Sequence, residues 1–216
     1  TLKHSNFRIN DVIEGKFIIV ANGDTLRIPI RITFVKRSIK SSIGYINNLS
    51  DFGRLCQSNF IEANHIFHTN AFYDIIAEHD TQMRLLYRGY VRSVPSLNNL
   101  EEFLVAARLK ERTLISLDKT SVNYDDIAEN RKEEILITKS NWGNIEIDVS
   151  VDADFVTIEK NHINSDYFLG SILHFDYYIH KNRMHKGINL AKICFDTNNQ
   201  HKEFVITAML EGDEAS

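Results

Sequence analysis

Cysteine, proline and tryptophan are scarce in this 216-residue chain, at two, two and one copies. The two cysteines, Cys56 and Cys194, cannot make the disulfide framework that staples small secreted domains. Each lies in an apolar stretch and reads as a small core residue; neither assigns a compartment. Net charge is −4, from 25 basic and 29 acidic residues. The strongly basic face of a nucleic-acid-binding domain is therefore missing, and no nucleic-acid partner is expected. The longest strongly apolar run, Phe17 to Ala21, falls far short of the ~20 residues that span a bilayer. The opening residues carry no secretory-leader pattern, and Thr1 is not an initiator, so the chain reads as part of something longer. Gly-x-Ser-x-Gly, His-Glu-x-x-His and Cys-x-x-Cys are all absent, which removes the commonest hydrolase, metalloprotease and redox signatures. Gly89, Gly170 and Gly187 belong to no phosphate-binding loop.

What is present is a globular composition, 43% hydrophobic and 25% charged, enough for one or two domains. A hairpin pattern occurs twice. Gly15 to Gly23, followed by a strand from about Leu26, is matched by Ala191 to Asn199, followed by a strand from about Glu203. His4, Asn6, Lys16 and Asn22 recur as His180, Asn182, Lys192 and Asn198, an offset of 176. The first copy turns at Asn22-Gly23, a pair that tolerates the positive φ angles of a type I′ turn. Pro29, inside its second strand, predicts a position with no inward N–H bond.

Residues 47–111 switch to helical spacing. Leu49, Phe52 and Cys56 form one stripe; Phe60, Ala63 and Phe67 a second; Met83, Leu86, Tyr87 and Tyr90 a third; Leu100, Phe103, Leu104 and Ala107 a fourth. The last helix follows Pro95, with Asn98 expected as its cap and Glu101 three residues on. Four or five short helices must bury these stripes against one another. Residues 112–210 return to period 2. Ile145, Ile147, Val149 and Val151 share one face, and Leu173, Phe175, Tyr177 and Ile179 form a second apolar row. Turn clusters at 140–143, 159–164 and 197–199 separate eight expected strands. These are 114–117, 121–124, 135–139, 145–151, 155–158, 171–180, 188–196 and 203–210. They predict an antiparallel β-sandwich. The expected layout is mixed but mainly β: residues 1–46 as the last strands of a truncated sandwich, 47–111 as a helical array, 112–210 as a sandwich, and 211–216 as a flexible tail.

A resemblance sharpens this. Glu134 to Thr138 followed by Asn141-Trp142-Gly143-Asn144, then Gly187 and Ile193-Cys194-Phe195-Asp196-Thr197-Asn198, resemble the strand signatures of immunoglobulin-like domains of the sperm-protein and abnormal-spindle type. The resemblance covers 112–210 and implies an immunoglobulin-like fold, without the cysteine spacing of antibody domains. The whole order, with Phe60-Ile61-Glu62-Ala63, Leu86-Tyr87-Arg88-Gly89 and Glu101 to Ala106, is similar to large uncharacterised proteins of anaerobic bacteria. Their family is a domain of unknown function and supplies no catalytic motif.

No catalytic, cofactor-binding or metal-binding set emerges from the residues. Glu62, His65 and His68 make E-x-x-H-x-x-H on a helix, a step that di-iron bundles use, but matching ligands from other helices are lacking. Glu62 and His68 would also stand ~120° apart on the helix. His174, Asp176, His180 and His185 read as a solvent-facing polar row. Trp142 reads as a plug over the end of the sandwich. Tyr87, Tyr90, Tyr177 and Tyr178 read as core or interface tyrosines. Arg84, Arg88, Arg92, Arg108, Lys110 and Arg112 give the helices a basic face, diluted by Glu101, Glu102 and Glu111. The expectation is a non-catalytic scaffold or protein-interaction segment with no cofactor, an unidentified protein partner, and self-association through the opening hairpin. The alternatives are an accessory carbohydrate-binding module, or part of an enzyme whose site lies elsewhere.

Overall fold

The computed structural model describes residues 10–35, 38–91 and 94–211. His4 and Asn6 of the hairpin match, Arg92 of the basic face, and all of the expected tail but Glu211 lie outside them. β1 (Val12–Ala21) and β2 (Asp24–Thr33) pair in antiparallel register from Val12↔Thr33 to Ala21↔Asp24. Asn22 and Gly23 turn at φ 49° and 88°, both in the region that a type I′ turn requires. Hydrogen-bonded and open pairs alternate away from such a turn. Counting from Ala21↔Asp24 puts Lys16↔Pro29 among the open pairs, where proline's missing N–H costs nothing.

β3 (Ile39–Ser41) and β4 (Gly44–Ile46) form a small hairpin ahead of α1 (Leu49–Ser58), α2 (Phe60–Phe67), α3 (Asn70–Ile76), α4 (Thr81–Val91) and α5 (Leu97–Ala106). Asn48 and Asn59 cap α1 and α2 by accepting from the N–H groups of Asp51 and Glu62. All four apolar stripes face one core. Phe52, Phe67, Phe72 and Phe103 are fully buried, with ring centroids 4.3 Å apart for Phe52–Phe72 and 5.0 Å for Phe67–Phe103. The buried Tyr87 hydroxyl donates to the Phe67 carbonyl at 2.9 Å, which removes the cost of burying it unpaired. Two details differ from expectation. Ile39 and Ile46 join this helical core, so β3 and β4 pack with the helices and not with the unit of residues 1–46. And α5 is capped by Ser96, whose Oγ accepts from Asn99 N; Asn98 already lies within the helix.

The remaining strands are β5 (Ile115–Leu117), β6 (Ser121–Tyr124), β7 (Arg131–Lys139), β8 (Glu146–Val151), β9 (Val156–Ile158), β10 (His162–Asn164), β11 (Ile172–Ile179), β12 (Gly187–Asp196) and β13 (His201–Leu210). They build a sandwich of a five-stranded sheet, β10-β8-β12-β13-β6, over a four-stranded one, β5-β7-β11-β9. Ile147, Val149, Ile193, Phe195, Phe204 and Ile206 from the first face Ile135, Ile137, Phe175, Tyr177 and Ile179 from the second. Phe175 meets Phe195 edge-on at 5.2 Å. The expected β-sandwich is present, with two corrections. β6 pairs with β13 in parallel, so the sheets are not wholly antiparallel. The stretch expected as a turn at 159–164 contains β10, whose three residues pair with β8 and are too few for period 2 to show.

Candidate functional site

The sequence-derived candidates do not converge. Glu62 accepts from the backbone N–H and hydroxyl of Ser42, which ties α2 to the β3–β4 turn. His68 bonds back to the Asn64 carbonyl at 2.8 Å, and His65 is exposed. His174 pairs with Glu134 at 3.0 Å, His180 with Thr157 at 2.8 Å, His185 with the Lys186 carbonyl, and Asp176 with Lys132 at 2.7 Å. The basic face is likewise dispersed. Arg84 bonds Thr81, Arg88 bonds the Tyr73 hydroxyl, and Arg112 grips Glu102 with two bonds of 2.7 and 3.0 Å.

Two arrangements stand out instead. One is the joint between α5 and the sandwich. Glu101 and Lys110 form an ion pair whose side chains are 6% and 1% exposed. Lys110 Nζ also donates to Thr113 Oγ1 at 3.0 Å and to the Trp142 carbonyl at 2.5 Å, and it sits 4.6 Å from the centre of the Trp142 ring. The second Glu101 oxygen accepts from Asn144 N at 3.1 Å. Burial pushes the Lys110 ammonium below its usual range, with Glu101 pulling the other way. Gly143 permits the approach. Its φ is +108°, and a Cβ there would stand 2.4 Å from Glu101 Oε2 and 2.5 Å from Lys110 Nζ. Trp142 is thus a plug, but over the helical core and not over the sandwich. Asn198 adds a bond to Asn98 at 3.2 Å, so the β12–β13 turn also touches α5.

The other arrangement is a polar row across the outer face of the five-stranded sheet. His162, Asp148, Asp196 and His201 are successive cross-strand partners on β10, β8, β12 and β13, so all four share a face. His162 donates to Asp148 at 2.8 Å and His201 to Asp196 at 2.5 Å. Each carboxylate raises its histidine's pKa through that bond, with Glu203 adding to the effect at His201. Beside His201 lie Glu203 and Cys194, themselves cross-strand partners. This corrects the reading of Cys194 as a core thiol: Ile193 and Phe195 point inward, so strand alternation turns Cys194 outward. Cys56, by contrast, is 2% exposed, and burial pushes its thiol up to about 12. The row is assembled from four strands: Asp196 and His201 face each other across the β12–β13 turn, but the Asp148–His162 pair joins them only through the pairing of β8 with β12.

The family of unknown function (DUF5717), N-terminal, matches residues 1–216. The chain belongs to this family. No curated protein matches it significantly. Among solved structures, the DUF5717 N-terminal chain is similar to the ASH/PapD-like domain of human CEP192 (PapD-like domain 7). Identity is 6% and the TM-score 0.35, over 46% of this chain and 87% of that one. It is also similar to a FixG-related protein from Vibrio parahaemolyticus, at 10% identity and a TM-score of 0.34, over 46% of this chain and 97% of that one. Among the described residues of the DUF5717 chain, no helix is long and apolar enough to cross a membrane.

Proposed function

We propose that this chain is a non-catalytic scaffold segment of a larger modular bacterial protein, and that its β1–β2 hairpin docks on an apolar β-sheet face of a protein partner. The observation that carries this reading is the hairpin's two-sidedness. Alternation and register put Ile13, Phe17, Ile19, Leu26, Ile28, Ile30 and Ile32 on one face. Phe17 is 64% exposed, Leu26 57% and Ile19 50%. Covering a large apolar side chain contributes about 1.5–3 kcal/mol, and two strands alone are marginal in water. The kind of partner is indicated by the chain's own second hairpin. β12–β13 has the same ten-residue strands and ten-pair register, and its inner face lies on the four-stranded sheet. The buried joint at Glu101–Lys110 supports a scaffold role, because it couples the helices to the sandwich.

The absence of a catalytic function is part of the proposal. The cleft lined by Glu159, Lys160, Tyr167, His174 and Asp176 has a volume of only about 110 Å³; larger hollows of about 740 Å³ on the β1–β2 hairpin and about 680 Å³ beside Asp152, Asp154 and Arg183 are lined by no histidine, cysteine or serine. The carbohydrate alternative draws no support from the rings that would serve it. Trp142 is taken up in the joint, and Tyr178 is bound to Glu159 with Lys132 beside its ring.

Sedimentation velocity on the chain and on a Phe17→Lys/Ile28→Lys variant tests the reading. The apolar face should drive self-association when no other partner is present, and the variant should be monomeric with unchanged helix and strand content. Equal sedimentation of the two, monomeric at every concentration, would refute it.

A further inference from the structure

We propose that Cys194, His201 and Glu203 bind a borderline divalent metal ion, Zn²⁺ or Co²⁺, with Asp196 orienting the histidine. Their donor atoms all lie within 4.8 Å of one another, so small side-chain rotations bring them to the ~2.0–2.3 Å bonds that zinc makes with N, O and S. The donor set of one thiolate, one imidazole and one carboxylate suits such an ion and does not suit Mg²⁺ or Ca²⁺, which take oxygen.

The backbone holds the set in place. Cys194 and Glu203 are directly opposed across β12 and β13, and Asp196 and His201 are opposed one step nearer the turn. β12 is further braced by β8. Asp196 Oδ1 accepts from His201 Nδ1 at 2.5 Å, which leaves Nε2 turned toward Glu203 at 3.1 Å. That is the carboxylate–histidine–metal arrangement in which an outer carboxylate fixes the ring for ligation. Asp148, opposite Asp196, adds negative charge nearby. One cation competes: Lys192 Nζ stands 3.1 Å from Glu203 Oε1, and a metal ion would displace it. Three protein ligands on an open sheet face leave a fourth position for water or for a donor from a bound partner.

The test is a Co²⁺ titration of the 216-residue chain carrying no histidine tag. One equivalent should bind, with a thiolate-to-cobalt charge-transfer band in the near ultraviolet that Zn²⁺ abolishes by displacement. Cys194→Ser should remove the band. Asp196→Asn should weaken binding about 10–100-fold, whereas Lys192→Gln should tighten it, a response that no metal site elsewhere would show. His65→Ala should change nothing. Because these side chains lie at the surface, circular dichroism should show each variant folded. Absence of the band at saturating Co²⁺, or binding unaltered by Cys194→Ser, would overturn the assignment.

Discussion

Replacing Lys110 by methionine should destabilise the chain by about 3–5 kcal/mol, the cost of leaving one member of a buried ion pair without the other. The environment supports a value in this range. The Glu101 side chain is 6% exposed, so water cannot take the ammonium's place. Lys110 Nζ serves three acceptors, Glu101 Oε1, Thr113 Oγ1 and the Trp142 carbonyl; without it, Glu101 keeps only neutral donors, Asn144 N and the Thr113 hydroxyl, and the latter is shared with the Trp142 carbonyl. Methionine retains most of the apolar stem against Trp142, so the loss is chiefly electrostatic. Urea unfolding monitored by tryptophan fluorescence suits the assay, since the only tryptophan lies in this joint. A double variant, Glu101→Leu/Lys110→Met, removes both charges and should recover most of the loss. The reasoning is refuted if Lys110→Met costs less than about 1 kcal/mol, the usual ceiling for an exposed pair, or if the double variant is no more stable than the single.

Gly143→Ala should cost at least about 2 kcal/mol, from the positive φ and from forcing the ion pair aside; its penalty, read by the same unfolding assay, should shrink in the Lys110→Met background. Phe195→Ala should cost about 3–5 kcal/mol, because the ring is fully buried between the sheets; thermal unfolding checks it. His162 and His201 should both titrate above the ordinary ~6.5 of histidine in proton NMR, because Asp148 and Asp196 favour their charged forms. Their folded pKa values are raised, so their contribution to stability is complete below pH ~6.5 and disappears as pH rises through the folded values. Asp148→Asn should lower the His162 value and leave His201 unmoved.

The sequence announces features that depend on neighbours along the chain. Asn22-Gly23 specifies its turn because few pairs tolerate two positive φ angles. Ile145, Ile147 and Val149 specify a half-buried strand through period 2, and the spacing of Phe52, Phe67 and Phe103 marks the helical core. Features made by distant segments are hidden. Nothing near Glu101 shows that it meets Lys110 and Asn144 in a dry joint; a charged residue on an apolar helix stripe beside Phe103 and Leu104 was the available sign. The outward face of Cys194 was legible from its inward neighbours Ile193 and Phe195. Its company was not, because Glu203 and His201 reach it only through the register of β12 and β13. The parallel pairing of β6 with β13 has no local signature at all.

Hydrogen exchange of residues 12–33 as a function of protein concentration tests the docking hairpin most directly. An isolated two-stranded ribbon opens readily, so its amides should exchange fast in dilute solution and become protected as the apolar face is covered at high concentration. The buried strands β8 and β12 should stay protected throughout. Slow exchange across residues 12–33 at the lowest concentration, unchanged on concentrating the sample, would show that the hairpin is already satisfied within one chain, and would contradict its role as a docking element.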